Sequence, residues 1–250
     1  MQLEFTSGGG LVRGHLAMPA ASASSGRFGL VLCHGFPAEP PGQRNAPQSY
    51  AELADRLAAE TGWVVLSFDF RGAGASEGQF SLAGWLEDID AAVAELRRQA
   101  DVEGVWLAGF STGGALALCA AGEDESICGV ATFAAPADFE DWAADPRRFL
   151  DHARSVGVVQ DKDFPADFDS WARELREIRP LALIGKIPPR PVLVVHGAED
   201  DTVSLMDARA LVDAADNLVE LRVLSGAGHR LRHDPRAVAV LLGWLDRQHI

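Results

Sequence analysis

Short β-branched apolar runs recur along this chain with amphipathic stretches between them, and no other feature restricts its fold as strongly. The runs "LVLCHG", "WVVLSFDF", "VWLAGF", "VATFAAP", "PVLVVHG" and "VELRVL" read as six buried strands. Such strands alternate with helices when a mostly parallel sheet is covered on both faces, so the pattern predicts an α/β fold. "LEFTSG" and "LVRGHLAMP" precede them as a hairpin around Gly8, Gly9 and Gly10. The clearest helix is "SLAGWLEDIDAAVAELRRQ", where Leu82, Trp85, Leu86, Ile89, Val93 and Leu96 share one face and Ser81 is placed to cap the start.

Composition narrows the class. A chain of 250 residues, 48% hydrophobic and 23% charged, can bury a large core as one domain with room for an insertion. Its formal charge of -14 repels phosphate backbones and anionic lipid, so neither nucleic acid nor a membrane is expected as a partner, whereas a homodimer stays open. "MQLEFTSGGGLVRGHLAMPA" carries Glu4 and lacks the apolar core of a secretory signal, and the expected location is cytoplasmic. Cys33, Cys119 and Cys128 are odd in number, without C-x-x-C spacing, in apolar surroundings; they read as buried thiols, with no disulfide framework and no metal site.

Chemistry concentrates where strands run out into loops. "GFSTG" matches G-x-S-x-G at a strand-to-helix turn, which puts Ser111 at the carboxyl end of a central strand, where open α/β sheets place their ligand crevice. A serine hydroxyl is a weak nucleophile until a base takes its proton. His229, in the small-residue loop "SGAGHRL" after the last strand, is the candidate base, while His233 and His249 read as solvated surface residues. Asp200 in "LVVHGAEDDTVS" is the candidate acid that orients the imidazole; Glu199 and Asp201 read as solvated, and Asp138 is the fallback acid. The backbone amides of Phe36, after "LCHG", and of Thr112 are the candidate oxyanion donors, with His34 organising the loop.

Taken in order, "HGF", "FDFRGAGASEGQF", "GFSTGG", "HGAEDDTVS" and "GAGH" resemble the α/β-hydrolase superfamily, most closely the small bacterial carboxylesterases of its serine aminopeptidase-like and cinnamoyl-esterase-like branch. The order Ser111, Asp200, His229 is that family's chain order. The likeness runs from about residue 28 to about residue 245 and is weakest between about 137 and 188. It implies that Asp69, Arg71, Gly72 and Gly74 shape a loop beside the site. Ser204 stands where the family often has proline, and Phe110 where histidine is more frequent; a halide-removing relative would carry aspartate at the position of Ser111.

The expected architecture is therefore an α/β-hydrolase core over 1–136 and 189–250, with a small helical lid over 137–188 that is too long for a plain connection. Trp142, Phe149, Phe164, Phe168 and Trp171, with His34 and Phe110, are candidate pocket residues, although aromatics at helical spacing more often pack. The expected function is cofactor-free cleavage of a small-molecule carboxylic ester through an acyl-enzyme. A peptidase, thioesterase or acyltransferase on the same fold, or a non-catalytic small-molecule binding protein, are the alternatives.

Overall fold

The structure is a computed structural model, and it describes residues 1–20, 28–38 and 46–248. Strands β1 (Gln2–Ser7) and β2 (Gly10–Ala17) form the hairpin, joined by Gly8 and Gly9 at positive φ, as a two-residue turn between twisted strands requires. After them come β3 (Phe28–Cys33), α1 (Ala46–Thr61), β4 (Val64–Phe68), α2 (Leu82–Gln99), β5 (Gly104–Phe110), α3 (Thr112–Glu123) and β6 (Ile127–Phe133). A helical stretch of α4 (Glu140–Ala144), α5 (Pro146–Ser155), α6 (Phe168–Glu177) and α7 (Pro180–Leu183) leads to β7 (Val192–Gly197), α8 (Leu205–Ala214), β8 (Glu220–Leu224) and α9 (Pro235–Asp246). The sheet order is β1-β2-β4-β3-β5-β6-β7-β8, parallel from β4 onward and antiparallel at the β1/β2 and β2/β4 pairs.

The strands are apolar on both sides because each side meets a helical layer. Val31, Leu107, Val130 and Val194 join the core under α2, α3 and α8, whereas Leu30, Ala108, Ala131 and Leu193 join the core under α1 and α9. In α2 the expected face holds: Leu82, Trp85, Ile89, Val93 and Leu96 are buried, Leu86 is partly so, and the Ser81 hydroxyl accepts from the Gly84 amide at 3.0 Å.

Two expectations are corrected. "VELRVL" is not a buried strand: β8 lies at the sheet's edge with β7 as its one strand neighbour, and Val223 is 42% exposed. An edge strand has one flank and part of its faces in water, so apolar content alone overstates its burial. Cys33 and Cys119 are buried and burial pushes both thiols up, but Cys128 is only half-buried; all three are free. His249 lies outside the described residues. Among the described residues no helix is long and apolar enough to cross a membrane.

The stretch between β6 and β7 is seated on the core. The Trp171 indole donates to the Phe80 carbonyl at 3.2 Å, the Phe80 amide to the Val158 carbonyl at 2.9 Å, and the Ala83 amide to Glu174 at 3.1 Å. Phe149, Trp171 and Leu175 share one apolar cluster with Phe80 and Trp85.

Candidate active site

Ser111 stands between β5 and α3 with φ 52° and ψ -126°, a backbone conformation that a side-chain-bearing residue adopts only when its surroundings enforce it. The enforcement is visible. Its amide donates to the Phe133 carbonyl at 2.8 Å, and its carbonyl accepts from Gly114 and Ala115 as the helix begins. The flanking glycines admit the turn: a Cβ on Gly109 would collide with the Gly113 carbonyl, and one on Gly113 with the His34 carbonyl. The hydroxyl is thereby lifted to the carboxyl edge of the sheet.

Two loops from that edge converge on it. His229 Nε2 lies 3.1 Å from Ser111 Oγ, and its Nδ1 lies 2.9 Å and 3.2 Å from Oδ2 and Oδ1 of Asp200. A carboxylate only accepts, so Nδ1 carries the proton and Nε2 presents its lone pair to the hydroxyl. The Asp200 side chain has no solvent exposure, and Thr202 and Val203 donate backbone N–H groups to its Oδ1 at 2.9 Å each. Burial alone would push this carboxyl up; the hydrogen bonds from His229, Val203 and Thr202 outweigh it and hold it below the usual carboxylate range.

The neighbouring candidates stay out of this run, although Asp138, Asp201 and His233 line the same cleft. Glu199 and Asp201 are exposed, the Asp138 carboxylate accepts from the Glu140 amide at 3.0 Å, and His233 is exposed against Arg232. Among the described residues no three His, Cys, Asp or Glu side chains cluster as a metal site requires.

The loop after β3 is fixed by His34, whose Nδ1 donates to the Gly35 carbonyl at 2.8 Å while its Nε2 accepts from the Phe70 amide at 3.0 Å. The ring packs edge-on against the stacked pair of Phe70 and Trp85, so it organises the loop from behind and does not reach the cleft. Gly35 abuts Ser111: a Cβ there would lie 3.1 Å from the Ser111 Cβ. Among the described residues no acceptor takes the amides of Phe36 or Thr112, and both residues line the cleft at Ser111. Tyr50, which sequence reasoning missed, packs beside this loop: its ring centre lies 6.0 Å from that of His34, 5.7 Å from that of Phe110 and 4.6 Å from the Arg232 guanidinium. Burial pushes the phenol up to about 12.

Residues 30–241 match the family described as Alpha/beta hydrolase family. The chain belongs to that family. Among curated proteins it is 30% identical over 234 residues to Esterase LipC of Mycobacterium tuberculosis, covering 82% of this chain and 55% of LipC. It is 27% identical over 213 residues to YqkD of Bacillus subtilis, covering 82% of this chain and 65% of YqkD, so it spans between about half and two thirds of these relatives. The esterase Pf2001 of Pyrococcus furiosus superposes with a TM-score of 0.71 at 19% identity, over 99% of this chain and 91% of that one. Est1E of Butyrivibrio proteoclasticus, solved with ferulic acid bound, superposes at 0.69 with 21% identity, over 98% and 97%. At these identities the structures share the fold.

In this member of the family the cleft at Ser111 is open, about 1520 Å³, and walled on one side by aromatics from the helical stretch between β6 and β7. Of the seven candidate pocket residues, Trp142 lines it. Phe110 is buried, stacked on Phe133 at 4.8 Å. Phe149 is buried between Trp142 and Trp171, with ring centres at 4.0 and 5.9 Å, and Phe164 and Phe168 are partly buried against the core, Phe168 beneath the Arg147 guanidinium. An amphipathic helix turns its aromatic face to the apolar core, which leaves the cleft wall to residues off that face. The cleft takes Phe36, Phe139 and His152 instead. Phe139 was findable, because it follows the end of β6 at the same sheet edge; His152, on a polar helix face, carried no signal.

Proposed function

We propose that this protein is a serine hydrolase that cleaves carboxylic esters through an acyl-enzyme, with Ser111 as nucleophile, His229 as general base and Asp200 as the acid that orients it. The observation that carries the reading is the continuous run Asp200 Oδ2, His229 Nδ1, His229 Nε2, Ser111 Oγ at 2.9 and 3.1 Å. Ser111 Oγ attacks the carbonyl carbon as its proton passes to His229 Nε2, and the oxyanion is taken up by the amides of Phe36 and Thr112. Collapse expels the alcohol, which receives the proton from His229. Water then gives its proton to His229, attacks the acyl carbon, and releases the acid and the free serine.

The likeness to an esterase, LipC, supports ester over peptide, and the aromatic wall of Phe36, Phe139 and Trp142 supports a small-molecule ester with an aryl or medium-length acyl group. A protein that only captured a ligand would have no physical need for the serine–imidazole–carboxylate run. The test is the initial rate on p-nitrophenyl esters of increasing acyl length, for wild type and Ser111→Ala. Turnover that falls about a million-fold in the variant is expected. Equal rates for the two proteins on every ester would sink the reading.

A further inference from the structure

His196 is the penultimate residue of β7, four residues before Asp200, has no solvent exposure, and plays no part in the chemistry above. Its Nε2 lies 3.0 Å from the Val203 carbonyl oxygen and 3.5 Å from Asp200 Oδ2, and its Nδ1 is buried with no partner among the described residues. A carbonyl only accepts, so the proton belongs on Nε2 and Nδ1 keeps a bare lone pair. The opposite tautomer would turn a lone pair toward two acceptors and bury an N–H with nothing to receive it.

We propose that His196 is a positioning residue for the Asp200–His229 pair, an inference that rests on reading Ser111, His229 and Asp200 as the reacting set. The Asp200 carboxylate is held on Oδ1 by the amides of Thr202 and Val203. Those amides aim at it only while the 200–203 turn keeps its shape, and the turn's last carbonyl, that of Val203, is pinned by His196. The same N–H points its positive end past Oδ2 at 3.5 Å, a charge–dipole contact longer than a hydrogen bond. Oδ2 is the oxygen nearer His229 Nδ1, so His196 sets the plane of the carboxylate and hence the direction of the imidazole lone pair toward Ser111. A leucine of similar size would pack in a buried strand end without stranding a lone pair; the polar edge is what the position uses.

Three measurements test this. In wild type labelled with ¹⁵N-histidine, His196 is expected as the Nε2–H tautomer, and a proton on Nδ1 would overturn the proposal whatever the variants do. With p-nitrophenyl esters, His196→Leu is expected to lower kcat by about tenfold with KM unchanged, the upper size of one hydrogen bond to a neutral carbonyl. His196→Gln, whose amide nitrogen reaches the Nε2 position, is expected to recover most of that loss. A folded His196→Leu with wild-type kcat overturns the proposal while leaving the nucleophile reading intact. If instead wild type and Ser111→Ala do not differ, that reading fails, and the downfield resonance of the His229 Nδ1 proton still decides: a shift in His196→Leu supports positioning and an unmoved resonance rejects it.

Discussion

The amide of Glu199 donates to the carbonyl of Ala227 across 2.9 Å, and this hydrogen bond stitches the loop that carries Asp200 to the loop that carries His229. The approach depends on Gly197, because a Cβ there would collide with the Ala227 carbonyl. Gly197→Ala is expected to push the loops apart and lower kcat on p-nitrophenyl esters by at least about a hundredfold, as a misplacement on the order of 1 Å does. Wild-type kcat in a folded Gly197→Ala protein would reject the account of how acid and base meet.

Asp200→Asn keeps the shape of the acid and removes its charge. The amide can offer an N–H to His229 Nδ1, which favours the tautomer with its proton on Nε2, facing Ser111 with no lone pair. A fall in kcat on the order of ten-thousandfold is expected, because the carboxylate hydrogen-bonded to His229 is that of Asp200, whereas that of Asp138 accepts from the Glu140 amide.

The same pair of proteins reports a linkage. Asp200 is held below its ordinary value of 3.8 in the folded state, so its carboxylate contributes stability above that value and loses it as pH falls through the lower folded value. Urea midpoints of wild type and Asp200→Asn, compared from neutral pH downward, are expected to show the wild-type advantage shrinking below about pH 4. An advantage that grows with acidity would contradict the hydrogen bonds assigned to Oδ1 and Oδ2.

Phe149 and Trp142 stack on each other, yet only Trp142 faces the cleft. Phe149→Ala is expected to cost about 3–5 kcal/mol of stability through the cavity it leaves. Trp142→Ala is expected to move the acyl-length optimum toward longer chains at a smaller stability cost. Thermal melts and the ester series, run on both variants, check the division.

Tyr50→Phe removes a hydroxyl whose ionised form Arg232 and the Gly35 backbone favour, while keeping the ring against Phe110. With the Phe36 amide one residue along, kcat is expected to fall about tenfold, the size of one lost hydrogen bond, with the melting temperature nearly unchanged. A large loss of stability with kcat intact would make Tyr50 a packing residue only.

Local order was legible in the sequence because it is written in short-range physics. Alternating apolar runs and amphipathic helices, the Ser81 cap, and a serine between glycines each follow from a few neighbouring residues. So does the placement of Ser111, Asp200 and His229 at strand ends, since parallel strands bring their carboxyl ends to one edge. What the tertiary structure alone decided is which partner each face meets. Periodicity marks Phe149 and Trp171 as the apolar faces of helices but does not say whether those faces cover the core or the cleft. The core takes them, because it offers more area to remove from water. The exposure of β8 follows from its place at the sheet's edge, for which Glu220 and Arg222 within it were the available signal. His196 and Tyr50 emerged only in three dimensions. The role of His196 depends on a backbone carbonyl and that of Tyr50 on rings and a guanidinium distant in the chain, and neither kind of neighbour leaves a mark beside the residue in the amino-acid sequence.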